Sequence, residues 1–239
     1  NRTILAVVGN VGMQDLRLRL EGRLGAWQAG GPAVQPPAPP APPAPLPRPI
    51  VRTIQREVTQ ANITLGHLGV QRDNPDYYAV LAMNYILGGG GFNSRLMTKI
   101  REEKGWAYDV RSSFVPDKYA GTFTVTLQTK NETAERAIEA VLAEMRRIRE
   151  QPVGDTELRD AKAYLTGSYP LRLDTSGKIG RLLANIEYFG LGLDYVDRFP
   201  ALVDAVTVAD VQRVARRYLD PDRYALAAVA DLQKAKIKE

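Results

Sequence analysis

The chain has 239 residues, a formal charge of +5, no cysteine and a single histidine, His67. Without cysteine there can be no disulfide, no thiolate metal site and no cysteine nucleophile, an absence equally compatible with cytoplasm and periplasm. One histidine excludes a zinc site of the usual three or four His, Cys and carboxylate ligands, and a carboxylate-dominated site would favour magnesium or calcium.

The basic balance does not imply a nucleic-acid partner. Lys and Arg alternate with acids along helical stretches, as in Arg136-Ala-Ile-Glu139 and Glu144-Met-Arg146-Arg147, and no aromatics interleave with them as a stacking platform would need. The longest apolar run, 4–8, is far too short to span a bilayer, and no charged-then-apolar leader is present. A sequence that opens at Asn1 and runs directly into a strand-like segment is expected to continue upstream.

In chain order, residues 3–8 form an apolar run that predicts a buried strand, followed by a turn at Gly9-Asn10. A helix is expected over 13–24, with Leu16, Leu20 and Leu24 on one face. From 30 to 49 proline and alanine dominate; proline lacks the amide donor, so this stretch predicts an extended, semi-rigid spacer. The division is therefore 1–29 as an opening strand and helix, 30–49 as linker and 50–239 as the main domain.

Two strands are expected at 50–58 and 62–69, and a helix entered through Pro75 that passes Tyr77, Leu81 and Tyr85 and stops at Gly88-Gly-Gly-Gly91. A second helix is read over 92–104, closed by Gly105. Strands follow at 107–115 and 121–129, then helices at 132–150, 155–173, 178–189, 194–205 and 208–219. Asp155 and Thr207 suit N-cap positions, and a strand at 224–230 ends the pattern. The first and last strands are both short and apolar, and are candidates to pair. The fold class is α+β, an antiparallel-rich sheet covered by helices on one side. His67 lies in an alternating run and reads as an ordinary strand histidine rather than a catalytic base.

The informative stretch is Leu87-Gly-Gly-Gly-Gly-Phe-Asn-Ser-Arg-Leu-Met-Thr-Lys-Ile-Arg-Glu-Glu-Lys-Gly-Trp-Ala-Tyr108. Its glycines follow a helix rather than a strand and lack the lysine–serine/threonine ending, which excludes a dinucleotide fingerprint and a P-loop. Arg101 offers a rigid five-donor fork and Tyr108 a hydroxyl able to stabilise an oxyanion. On local chemistry alone, pairing of Arg101 with Glu102 or Glu103 and packing of Tyr108 in the sheet explain both residues as well.

The same stretch resembles the C-terminal half of the pitrilysin/insulinase family, the inverted-zincin peptidases that include the mitochondrial processing peptidase. The likeness extends through the opening strand Ala6-Val-Val-Gly9, the proline-rich connector, Asp76-Tyr-Tyr-Ala79, Ser94-Arg95-Leu96, Ile100-Arg-Glu-Glu103, Leu158-Arg-Asp-Ala-Lys162, Gly167-Ser168-Tyr-Pro170 and Asp220-Pro221-Asp222-Arg223. It implies a LuxS/MPP-like metallohydrolase half. In that family two homologous halves close around an unfolded peptide; one carries H-x-x-E-H and binds zinc, and the other supplies an Arg and a Tyr. H-x-x-E-H cannot be written with one histidine, so the chain matches the zinc-free half.

The resemblance thus implies substrate-binding and transition-state roles for Arg101 and Tyr108, and a substrate-binding loop at Gly88, Gly89, Gly90 and Gly91. It implies no metal in this chain, zinc in a homologous partner half on the same polypeptide or a separate subunit, and an unfolded peptide as substrate. The isolated chain is not expected to be an enzyme. The alternative is a non-catalytic scaffold subunit of a family complex.

Overall fold

The computed structural model describes residues 3–27, 41 and 43–238. Most of the proline-rich spacer lies outside the described residues. Two compact units are present: one comprises Asn1–Ala41 and Gly167–Phe199, the other Pro42–Thr166 and Pro200–Glu239.

The second unit is built on one five-stranded sheet. Its strands are β1 (Ile50–Gln55), β2 (Gln60–Leu68), β3 (Ala107–Val115), β4 (Thr122–Lys130) and β5 (Ala225–Ala230), in the order β1-β5-β2-β4-β3. Three of the four ladders are antiparallel and β1–β5 is parallel, so the sheet is mixed but antiparallel-rich. The side-chain period of two sends Ala61, Ile63 and Leu65 of β2, and Phe123, Val125 and Leu127 of β4, into the core. Small or polar residues (Asn62, Thr64, Thr124, Thr126 and Ala227) occupy the opposite, open face.

Three helices pack into that core: α2 (Tyr77–Asn84), α3 (Ala134–Glu150) and α7 (Val208–Tyr218). Helix α3 buries Ala137, Val141, Met145 and Ile148 along one stripe. Helix α7 starts on a capping box: the Thr207 side chain accepts from the Asp210 amide while the Asp210 carboxylate accepts from the Thr207 amide. The start of α2 is tied to α7 through Asp76. Arg213 Nη1 donates to its carboxylate at 2.7 Å, Tyr218 donates at 2.8 Å and Arg217 at 3.3 Å. Burial alone would raise the Asp76 pKa; the hydrogen bonds from Arg213 and Tyr218, with the two guanidinium charges, outweigh it and hold the carboxyl below its ordinary value.

The first unit contains α1 (Met13–Leu24) and α5 (Ser176–Phe189), and Tyr169 stacks on Phe199 with ring centroids 4.2 Å apart. The remaining helices are α4 (Asp155–Gly167), α6 (Tyr195–Asp204) and the short α8 (Leu232–Ala235).

Four expectations are corrected. Residues 3–8 form neither strand nor helix, and Leu5 is 57% exposed. An apolar run specifies a wish to be buried, but a strand exists only where a partner accepts its ladder, and no described strand pairs here. The pairing expected between first and last strands is replaced by β5 lying between β1 and β2. The continuous helix read over 92–104 is also broken: Ser94 is extended, with ψ 152, between a short 3-10 turn at Gly91–Asn93 and the π-helical segment Met97–Glu102. Likewise 155–173 ends as α-helix at Gly167 and continues as a 3-10 turn, Pro170–Leu173.

Candidate functional site

The carboxyl end of α2 widens into a π-helical turn, Tyr85–Gly89, closed by the Gly90 amide donating to the Tyr85 carbonyl at 2.8 Å. This turn is pressed against the edge strand β3. A Cβ on Gly88 would stand 2.6 Å from the Ser112 nitrogen, so only glycine fits there. Beside it, Ser112 Oγ donates to Asn84 Oδ1 at 2.8 Å, and Asn84 Nδ2 donates to the Ser112 carbonyl at 3.3 Å. Gly91 adopts φ +60, the left-handed region that favours glycine, and turns the chain towards Ser94, whose Oγ donates back to the Gly91 carbonyl at 2.7 Å.

Arg95 then anchors the next segment. Its guanidinium makes a two-pronged contact with Glu157 of α4, both prongs at 2.7 Å. From this anchor the π-helical segment carries Arg101 to the mouth of a cleft, its guanidinium carbon 4.8 Å from the Phe92 ring centroid. No ion pair involves Arg101 among the described residues, and the neighbouring Glu103 is bonded to Lys99 instead.

Tyr108 reaches the same cleft through a β-bulge. Ala107 pairs with Thr129 and Asp109 with Gln128, leaving Tyr108 as the extra residue. The bulge keeps Ala107 and Val110 in the core while Tyr108, 69% exposed, stands out on the open side. A plain strand would have turned one of the two buried residues into solvent.

The cleft encloses about 690 Å³ and is lined by Gly88, Gly89, Gly91, Arg101 and Tyr108, with Phe92 beside them. Gly90 is not among its lining residues; its own Cβ position faces the Tyr85 carbonyl. The structure thus brings together five of the six residues singled out from sequence. It adds Asp109, Arg111, Ser113 and Gln128, of which Asp109 and Arg111 are paired at 2.7 Å. Strand alternation points at Arg111 and Ser113, but the bulge that admits Asp109 leaves no mark in the sequence. The cleft therefore holds two guanidiniums and one carboxylate, a surface with donors to spare for carbonyl oxygens.

His67 lies outside this cleft. Its Nε2 accepts the Asp220 amide at 3.1 Å, which leaves Nδ1 to donate to the Leu68 carbonyl at 2.7 Å. Both ring nitrogens are used in the neutral form, and burial pulls its pKa below the ordinary value. Among the described residues no cluster of three His, Asp or Glu could hold a metal. The residues present do not fit zinc.

The family model described as the peptidase M16 inactive domain matches residues 1–165. A relative from Bacillus subtilis, an uncharacterized zinc protease YmxG, is 26% identical over 96% of this chain and 54% of its own length. A non-peptidase homolog YmxG from Helicobacter pylori is 32% identical over 64% of this chain and 35% of its own length. The crystal structure of a peptidase M16 inactive domain from Pseudomonas fluorescens superposes with a TM-score of 0.79 at 30% identity, covering 93% of this chain and 52% of that one. The chain spans about half the length of the Bacillus relative and less of the Helicobacter one. With a matching family model over more than two thirds of its length, this chain belongs to the peptidase M16 inactive-domain family.

Proposed function

We propose that the chain is the substrate-holding, zinc-free half of a zinc metallopeptidase, working with a homologous half that carries the metal. The observation that carries this reading is the convergence of Arg101, without a carboxylate partner among the described residues, and the bulge-presented Tyr108 on one glycine-floored cleft. Arg101 donates to backbone carbonyls of an extended peptide and fixes its register. Tyr108 donates its O–H to the carbonyl oxygen on which charge develops, an interaction that strengthens as the reaction proceeds. The glycines let the peptide backbone approach closely. Asn84 already occupies the Ser112 carbonyl on the β3 edge, so strand addition is confined to the part of that edge near Tyr108.

In the assembled peptidase, Tyr108→Phe is expected to lower kcat about 10- to 1,000-fold with KM changed less than threefold, while Arg101→Gln raises KM. Equal effects from Tyr108→Phe and from Tyr119→Phe, a partly exposed tyrosine outside the cleft, would remove the special role of Tyr108. A second reading, a scaffold subunit, draws support from the Helicobacter relative named a non-peptidase homolog. It predicts a stable assembly without peptidase activity in which neither substitution has any consequence.

A further inference from the structure

A second recess lies on the open face of the same sheet, a groove of about 760 Å³. Its floor is apolar or small, with Ile50, Ala225, Ala227 and Leu68, and the described end of the proline-rich segment, Pro43 to Leu46, also lines it. Three guanidiniums border it, Arg52, Arg217 and Arg223, against one carboxylate, Asp220. Asp220 is already bonded to Arg223 at 2.6 Å. Arg217 reaches Asp76 only at 3.3 Å, and that carboxylate is served more closely by Arg213 and Tyr218. Arg52 bonds the Val51 carbonyl and pairs with no acid among the described residues. His67, at the groove's wall, is held neutral and adds no charge of its own. The groove therefore carries a surplus of positive charge over an apolar floor.

The two recesses share a strand. Gln128 lines the Arg101 cleft and Thr124 the groove, on the same face of β4. Arg52 stands level with Thr126, two to three residues (about 8 Å) along the sheet from Tyr108, and β1 lies four strand spacings from β3, about 19 Å. An extended peptide at roughly 3.3 Å per residue covers that separation, about 21 Å, in about six to seven residues.

We propose that this groove is a second subsite for the same extended peptide, taking an apolar stretch that bears an acidic side chain about six to seven residues from the residue held at Tyr108. Arg52 and Arg217 form the carboxylate-binding pair, and the proposal rests on the peptide-holding reading of the Arg101 cleft.

The test uses the full-length protein and fluorescein-labelled, amidated decapeptides of Ala, Val and Leu that differ at one position, Glu or Gln. Fluorescence anisotropy at low salt is expected to show the Glu peptide bound about three- to tenfold more tightly. The preference falls to about one in Arg52→Gln and in Arg52→Gln/Arg217→Gln, with the Gln peptide bound as before. Arg52→Gln alone suffices where loss of Arg217 disturbs the Asp76 network. Equal binding of the two peptides overturns the groove proposal and leaves the Arg101 cleft standing. Equal binding with displacement by decanoate makes the groove a fatty-anion site and equally overturns it. Binding of neither peptide overturns the peptide-holding reading and the groove with it.

Discussion

Gly88 and the Ser112 backbone nitrogen are packed so closely that an added Cβ would sit 2.6 Å from that nitrogen and 2.7 Å from Leu96 Cδ1. Backbone is a poor place to seek relief, so Gly88→Ala is expected to destabilise by about 1–3 kcal/mol through overpacking. Gly91→Ala meets nothing within 4 Å but forces an alanine to φ +60, costing about 1 kcal/mol. Denaturant unfolding of both variants separates the two mechanisms. If Gly88→Ala costs less than Gly91→Ala, the loop is not clamped on β3.

The neutral state of His67 makes stability depend on pH. Its folded pKa lies below the ordinary imidazole value because burial disfavours the cation, with hydrogen bonding to the Leu68 carbonyl and the Asp220 charge opposing only in part. Unfolding releases a residue that binds a proton more readily, so stability is fully present above about pH 6.5 and declines as pH falls towards the folded value. In His67→Gln that component of the decline below about pH 6.5 disappears. Urea midpoints across that window measure it, and an unchanged slope in the variant would assign the decline to other groups.

Legibility followed physical cause. Helix α1 was readable over its whole length from leucine spacing, β3 over the bounds it takes in the structure and the start of α7 from the Thr207 cap. Residues 3–8 failed because an apolar run says nothing about who completes its ladder. The two π-helical segments failed because an α-to-π change is decided by packing against β3 rather than by propensity. Arg101 and Tyr108 could be singled out from their resemblance, but not their meeting point, since that depends on a bulge and on the Arg95 anchor. His67 does lie in a strand, as its alternating surroundings indicated, but its bond from the Asp220 amide, 153 residues away, is long-range and invisible locally.

The Asp76 network predicts an acid-sensitive joint between α2 and α7. Its folded pKa is held below the ordinary carboxylate value, so its contribution is present above about pH 4 and lost as pH falls through the folded value. Asp76→Asn keeps the shape but gives up charge-assisted bonds from Arg213, Arg217 and Tyr218. Arg213 and Arg217 are 49% and 66% exposed and partly screened, which places the cost at about 1–2 kcal/mol near neutral pH. The gap between wild type and variant should narrow steadily as pH falls below about 4. A gap that stays constant as pH falls below about 4 would mean that shape rather than charge is at stake.

Arg95 and Glu157 are 62 positions apart in sequence yet form a two-pronged pair whose side chains are only 16% and 31% exposed. Burial tends to lower the Arg95 pKa, but the hydrogen bond and charge of Glu157 more than compensate and raise it. The contact fixes the start of the segment that delivers Arg101, so its loss acts on the cleft as well as on stability. Arg95→Met is expected to cost more than Glu157→Gln, because Arg95 is the more buried partner and Glu144 also faces it electrostatically. A double-mutant cycle should give a coupling of about 1–3 kcal/mol, more than an exposed pair supplies. Peptide binding to the folded single variants should weaken even where Arg101 and Tyr108 are untouched, and the weakening should track loss of Arg101 order rather than global unfolding. Additive energies in the cycle, together with wild-type peptide binding in both single variants, would show that the π-helical segment keeps its place without this anchor.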